Sequence, residues 1–510
     1  MDVLDASECG VGLGTRERRR PDGADDLVLA DDGWRLGGHA PTLGRQPDTV
    51  RWDHRGVTDL SVWLPRVVEA IRLGNARFGT FDPDPSLAVG DDVVEGAVTR
   101  LTDRLADTYP FFHPRYVGQM LKPPHPAAVI GYTAAMLLNP NNHALDGGPA
   151  TSQLEREVVA RLAAMLGVDP FLGHLTSSGT IANLEALWVA REERPGTAVA
   201  YSADAHYTHA RMCQVIGVPG VAVPTDAAGR MDVEALAAIL ADGSVGTVVA
   251  TLGTTGLGAL DPVDEIVDVA RAHGVRVHVD AAYGGFFALV ADDSEDGVPA
   301  APFAAVARAD SVVIDPHKHG LQPYGCGAVL FADPAVARHY LHDSPYTYFT
   351  SDDLHLGEIS LECSRAGAAA AALWLTLEVV PLTGDGLGRA LRAGLRGARA
   401  WHGLLAGSDV LVPFQRPELD IVTYLPRRSA MSEIDARTAH LAFAAADAPP
   451  AEQVHVAQYA VTPAALTARG HEVVVDRESA RICRSVVMKP ESATYVPQIH
   501  SRLESLTRDL

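Results

Sequence analysis

The chain has 510 residues, 47% of them hydrophobic, and a formal net charge of −22. A single core stops growing near about 250–300 residues, so more than one domain is predicted. The negative charge makes nucleic acid and anionic membrane surfaces poor partners. Five scattered cysteines (Cys9, Cys213, Cys326, Cys363, Cys483), never spaced as CxxC, argue against a disulfide framework and a structural zinc site. No run of about 18 apolar residues is present. Asp2, Asp5 and Glu8 stand where a signal peptide would carry a basic start. The expectation is a soluble cytoplasmic protein that holds no metal.

Residues 1 to about 50 are rich in Gly, Asp and Arg, including arginines at 16 and 18–20 around Glu17, and are expected to be disordered at the start. Leu60, Val62, Leu64, Val67, Val68, Ile71 and Leu73 predict an amphipathic helix over 59–77, and a second is predicted over 91–107. Residues 1–110 are thus read as an N-terminal segment whose helices form an arm around a partner subunit. His113-Pro114-Arg115-Tyr116 through Pro123-Pro124-His125-Pro126 is read as loop. Ser152 and Glu155 are predicted to make a capping box for a helix with the stripe Leu154, Val158, Leu162 and Leu166, which Gly167 ends.

From His174 to about Phe331, short apolar strands alternate with helical patterns. Strands are predicted near 198–201, 221–223, 247–251, 275–279, 312–314 and 328–331, and a helix over 263–273. This alternation predicts an α/β fold with a mostly parallel, two-sided sheet, in a large domain over 111–385. A long helical stretch over about 366–406, then mixed segments at 421–424 and 472–475, lead into a smaller C-terminal α+β domain over 386–510.

Chemistry concentrates in four places. In Asp315-Pro316-His317-Lys318-His319-Gly320, a lysine stands between two histidines just past a β-branched run. The crevice beyond the carboxyl ends of such strands is where ligands bind. An amine there suits attack on a carbonyl, because desolvation and neighbouring positive charge lower a lysine pKa. Leu175 to Asn183 reads as a small-residue turn into a helix over 183–192. Amides at that helix start, beside the hydroxyls of Ser178 and Thr180, make a phosphate seat; a capped helix without a ligand fits as well. His206 follows a strand, and its flat ring can stack on an aromatic cofactor; a structural histidine is the plainer reading of it alone. Asp280 ends the strand Val277-His278-Val279-Asp280 and is followed by Ala281 and Ala282, which let something flat lie close. A carboxylate there needs a cationic or N–H partner, and a protonated pyridine nitrogen is one. Phosphate seat, stacking ring, carboxylate and lysine are together what pyridoxal 5′-phosphate requires.

The sequence also resembles the pyridoxal-phosphate-dependent (group II) amino acid decarboxylases, the group that includes aromatic-amino-acid, tyrosine and glutamate decarboxylases. The matching pieces, across roughly residues 110–380, are His113-Pro114-Arg115-Tyr116, Asn139-Pro140-Asn141-Asn142, Ser178-Gly179-Thr180-Ile181-Ala182-Asn183, Gly253-Thr254-Thr255, His278-Val279-Asp280-Ala281-Ala282-Tyr283 and Asp315-Pro316-His317-Lys318. The likeness is strongest to bacterial tyrosine decarboxylases, through the Asn139 to Asn142 piece and Ser364-Arg365-Ala366-Gly367.

The resemblance implies the aspartate-aminotransferase-like fold (fold type I) and a homodimer with sites at the subunit interface. It makes Lys318 the Schiff-base lysine, Asp280 the partner of the pyridine nitrogen and His206 the stacking ring, with Ala282 on the other face. Ser178, Gly179 and Thr180 would hold the phosphate, and His317 with Thr254 or Thr255 would lie close to the cofactor. Tyr116, Gln119 and His125 are candidate substrate contacts; a solvated loop accounts equally for Gln119 and His125. In this family a loop tyrosine assists protonation of Cα, and Tyr346 and Tyr348, beside Phe349, are the candidates. Arg365 is read as a structural ion-pair former.

The implied reaction is decarboxylation of an L-amino acid, a tyrosine-like aromatic one favoured, to the amine and carbon dioxide. Oxidative decarboxylation–deamination to an aldehyde, or another pyridoxal-dependent carbon–carbon lyase or aminotransferase reaction, are the alternatives. A catalytically dead relative would lack Lys318 or Asp280, and both are present.

Overall fold

The computed structural model describes residues 58–341 and 354–509. The start of the chain, and with it Cys9, lies outside these residues, as do Tyr346, Tyr348 and Phe349. In chain order the strands are β1 (Tyr116–Val117), β2 (Leu172–Thr176), β3 (Ala198–Ser202), β4 (Gly220–Val223), β5 (Val245–Thr251) and β6 (Arg276–Asp280). They continue with β7 (Ser311–Ile314), β8 (Gly327–Phe331), β9 (Leu411–Pro413), β10 (Ile421–Pro426), β11 (His455–Val461) and β12 (Ala480–Val486).

A seven-stranded sheet runs β2-β8-β7-β6-β5-β3-β4. Strands β3 to β7 pair in parallel, and β8 is antiparallel to both β7 and β2. Strands β7 and β8 read as near-continuous apolar runs because both faces are covered. Val312 and Ile314 join one packed layer and Val313 the other, as the period of two requires. Helices Pro149–Leu166 and Val263–Ala272 fill the first layer with Val158, Leu162, Ile266 and Val267. Helices Gly179–Glu193 and Thr208–Ile216 fill the second with Ala182, Ala186 and Met212.

Every strand predicted between 198 and 331 is present, its ends moved by at most a residue or two. Strand β2 is an addition. It takes Leu175 and Thr176 from the predicted turn, and the following helix starts at Gly179 rather than 183. The stretch predicted as one helix over 366–406 is two, Ala368–Val379 and Gly388–Ala406, separated around Pro381, which cannot continue a helix.

The second sheet runs β1-β11-β12-β10-β9 and is antiparallel except for β1 on β11. It packs against helices Gly388–Ala406, Met431–Ala446 and Ser492–Arg508. The segment predicted at 421–424 lies in β10, whereas 472–475 makes only an isolated bridge from Val474 to Ala430. Both N-terminal helices form, as Leu60–Ala76 and Asp91–Ala106, yet neither has a buried residue. Among the described residues no helix is long and apolar enough to cross a membrane.

The predicted capping box is absent. Pro149, with its φ already set for a helix, starts the first turn after Gly148, which leaves Ser152 and Glu155 inside the helix and buried. Gly167, at φ 71°, does end the helix. The Glu155 carboxylate instead accepts from Asn142 Nδ2 at 2.7 Å, Leu175 N at 2.9 Å and Arg365 Nη1 at 2.7 Å. Asn141 reaches across to Ser364 Oγ at 3.1 Å. Arg365 is thus the ion-pair former the sequence suggested. Replacing Glu155 with Ala would leave a buried guanidinium without its counter-charge. We expect a loss of about 3–5 kcal/mol in chemical denaturation; a loss under about 1 kcal/mol would show that this knot is not structural.

Candidate active site

The carboxyl ends of β3, β5, β6 and β7 open onto a cavity of ≈ 240 Å³. Its lining includes Ser178, Gly179, Thr180, His206, Thr255, Asp280, Ala282, His317 and Lys318, so the sheet brings these predicted site residues together. Ser178 caps helix Gly179–Glu193 through its Oγ, which accepts from Ile181 N at 3.3 Å. The next amides, of Gly179 and Thr180, have no intrahelical acceptor and are free to meet an anion. Gly179 is required here: a Cβ would lie 2.5 Å from the Asp315 carboxylate.

Asp280 is buried, yet its charged form is favoured. Burial would raise its pKa, but the hydrogen bond and charge of His209, and then the charge of Lys318, hold it well below the usual carboxylate range. His209 Nε2 lies 2.8 Å from Asp280 Oδ2, and Ala282 N donates to Oδ1 at 3.1 Å. His278, one turn of the pleat away, is a core histidine held between Ser311 Oγ and Asn183 Oδ1, each at 2.9 Å. Burial, and then His209, push its pKa down to about 3.

Lys318 departs from expectation. Burial does pull its pKa down, but the charges of Asp315 and Asp280 outweigh this and the net shift is upward. Its Nζ sits 2.9 Å from Asp315 Oδ2. The neighbouring charges are therefore negative, and only one of the flanking histidines faces the cavity. His317 lines it, 3.5 Å from the same carboxylate oxygen, with its pKa lowered by burial. His319 turns the other way into the core, with Nε2 2.9 Å from Asp420 Oδ2 and Nδ1 3.1 Å from the Tyr283 carbonyl. The turn past the lysine is tight. A Cβ on Gly320 would lie 2.6 Å from Pro316 Cα, and Leu321 adopts a φ of 64°. Such strain in a non-glycine residue is typical of a functional turn.

His206 is half-buried, with Nδ1 2.6 Å from Thr208 Oγ1 and a pKa lowered by burial. Thr254 does not line the cavity; its hydroxyl accepts from Ala259 N at 3.0 Å within its own turn, and Thr255 with Thr251 faces the space instead. Of the three candidate substrate contacts, Gln119 lines a second cavity of ≈ 400 Å³, which shares His206, Tyr207 and Thr255 with the first. Tyr116 is buried against Phe111 and His455 and lines neither cavity, though its hydroxyl accepts from Gln119 N at 3.4 Å. His125 caps helix Pro126–Met136 through Nδ1, and its amide holds the Leu321 carbonyl at 2.8 Å. Sequence reasoning missed His209 and Asp315 as partners; His209 carries no signal beyond lying three residues past His206, while Asp315 stands inside the quoted lysine motif.

A family model described as "Pyridoxal-dependent decarboxylase conserved domain" matches residues 113–407. The chain belongs to this family. It is a pyridoxal-phosphate-dependent amino acid decarboxylase, a carboxy-lyase. An L-tyrosine decarboxylase from Enterococcus faecium is 29% identical over 482 residues, covering 73% of this chain and 78% of its own. A probable L-aspartate decarboxylase from Halobacterium salinarum is 34% identical over 264 residues, covering 51% of this chain and 71% of its own. The crystal structure of mouse CSAD superposes with a TM-score of 0.72 at 24% identity, over 88% of this chain and 99% of that one. That of Oryza sativa TDC with PLP and tryptamine gives 0.71 at 18%, over 91% and 99%. The fold is type I.

The residues present fit the cofactor of this decarboxylase. An ionised buried carboxylate, unpaired helix amides, the close approach at Gly179 and an amine converge on one cavity. Replacing His209 with Ala would strand Asp280, and we expect a loss of about 3 kcal/mol in urea unfolding at pH 7. The folded pKa of Asp280 is depressed, so its stabilising share is present above the unfolded value near about 4 and lost as pH falls through the folded pKa. In the variant burial raises that pKa, so its deficit should shrink on acidification. A deficit constant from pH 7 to about 4 would rule out this role for His209.

Proposed function

We propose that this decarboxylase acts on a tyrosine-like aromatic L-amino acid, releasing the amine and carbon dioxide, and that it works as a homodimer. The observation that carries the substrate reading is the reach of the likeness to the Enterococcus faecium L-tyrosine decarboxylase, which spans 73% of the chain against 51% for the Halobacterium salinarum aspartate decarboxylase. The second cavity supports it. Its lining holds one guanidinium, Arg484, and one carboxylate, Asp204. Arg484 already donates to the carbonyls of Thr255 at 2.6 Å, Gly256 at 3.1 Å and Gly118 at 3.4 Å. An acidic side chain would find no surplus positive charge there, whereas an aromatic one would find Tyr459, Gln119 and Gln458.

When bound, the cofactor supplies a sink for the electron pair left on Cα as carbon dioxide departs. In this reading Lys318 would hold its aldehyde carbon, and Ser178, Gly179 and Thr180 would seat its phosphate. Asp280 would keep the ring nitrogen protonated, because a carboxylate held this far below its usual pKa does not take that proton for itself. His206 and Ala282 would flank the ring. Asp315 binds the Lys318 ammonium, and His317 stands beside the same carboxylate oxygen on the cavity wall. Tyr346 or Tyr348 would return a proton to Cα.

The dimer reading rests on the N-terminal helices. Trp63, Leu73, Leu101 and Leu105 are all exposed, on helices with nothing buried, and such a face calls for a partner.

Purified enzyme with pyridoxal phosphate should release carbon dioxide and amine in equal amounts from tyrosine or a close aromatic analogue, and from no acidic amino acid. Release from aspartate alone would overturn the substrate reading, and aldehyde with ammonia would overturn the simple decarboxylation. Lys318→Ala should abolish turnover. In sedimentation the chain should run as a dimer, and replacing Leu101 and Leu105 together by Asp should yield monomers; dimers unaffected by that change would place the interface elsewhere.

A further inference from the structure

A cavity of ≈ 580 Å³ lies apart from the cofactor cavity and shares no lining residue with it. Four arginines line it, Arg230, Arg399, Arg416 and Arg469, against a single carboxylate, Glu418. The chain as a whole carries 64 acidic and 42 basic residues. On a merely solvated face of such a chain, carboxylates should outnumber guanidinium groups. Here the ratio is reversed.

Glu418 is already committed. It accepts from Leu260 N at 2.7 Å and pairs with Arg230 Nη2 at 2.9 Å. The other three guanidinium groups have no carboxylate hydrogen-bonded to them among the described residues. Arg399 is half-buried and donates to the carbonyls of Glu295 and Gly297. Arg469 donates from Nε to Gln415 Oε1 at 2.7 Å and lies 4.4 Å over the Phe414 ring. Arg416 makes no hydrogen bond and no ion pair among the described residues. Burial, and then the charge of Arg416, depress the pKa of Arg399, against the smaller opposing pull of Asp296 and Glu295. The remaining lining is Phe414, two prolines and three alanines, plus Gln415.

We propose that this cavity binds a small molecule bearing two or more anionic groups, phosphates or carboxylates, between Arg399, Arg416 and Arg469. The planar guanidinium fork matches both kinds of oxyanion in paired hydrogen bonds. The volume is that of a small-molecule site, with a mostly apolar wall and a few convergent polar groups. An anion there offsets the mutual repulsion of Arg399 and Arg416, and Phe414 takes the apolar body of the ligand. The site is separate from decarboxylation and stands whichever amino acid the enzyme uses.

The test is calorimetric titration of the cofactor-saturated enzyme, at low salt, with pyrophosphate and in a separate arm with citrate. One saturable site per chain is expected for at least one of them, and the tighter of the two names the phosphate or the carboxylate source. Arg416→Ala should weaken that binding by about ten-fold or more, and Arg416→Glu should abolish it. Arg416 makes no bond in the fold, so both variants should melt like the wild type, which separates lost binding from lost folding. Saturable binding by neither anion, or binding unchanged in both variants, overturns the proposal.

Discussion

A carboxylate kept charged inside the protein is the constraint on which the rest of the site depends. Enclosing an ion this way costs several kcal/mol unless other groups replace its water. Asp280 meets that cost with His209, the Ala282 amide and the field of Lys318. Each comes from a different place: the helix after β3, the turn after β6 and the turn after β7. The strand order sets them side by side, since β6 pairs with β5 and β7 in parallel and all end at one edge. A sheet with another order would leave Asp280 unpaired, and then protonated.

The same logic joins the two sheets. Tyr283 lines the cofactor cavity and donates through its hydroxyl to Asp420 Oδ1 at 2.5 Å, while His319 holds Oδ2. Asp420 immediately precedes β10 of the second sheet, so the turn that carries Lys318 is braced from a segment a hundred residues further on in the chain. Arg484 of β12 does likewise for the Thr255 and Gly256 carbonyls at the cavity edge. The C-terminal region is therefore part of the wall that fixes the lysine and the ring-flanking turn.

What the sequence made legible follows from what repeats locally. The β-branched runs and their Gly and Pro stops located the parallel strands, and strand ends located Asp280 and Lys318. A short motif that starts a helix at the cavity was legible too, at Ser178, Gly179 and Thr180. Contacts between distant segments were not. The partnership of His209 with Asp280 joins residues on separate elements, and no periodicity encodes it. The sign of the Lys318 shift was misread on another ground: Asp315, three residues back in the same motif, and then Asp280, near only in space, outweigh burial. The capping box failed on competition, because Pro149 offered an earlier start that placed Glu155 in the core.

The motifs behind the likeness to other decarboxylases divide into two kinds with different consequences. Ser178 to Thr180, Asp280, Ala282, His317 and Lys318 line the cavity whose shape and charges fit the cofactor. Asn141, Asn142, Ser364 and Arg365 line neither that cavity nor its neighbour; they close a buried knot around Glu155 that fixes helix Pro149–Leu166 to the chain leaving the loop after β8. That second set conveys how the scaffold is held and nothing about which side chain the substrate bears. In the proposed reading selectivity falls to Gln119, Asp204, Gln458 and Tyr459, which reach the second cavity from separate turns and strands. These residues take no part in the knot or in holding Asp280, so on that reading cofactor and amino acid are held by different parts of the chain.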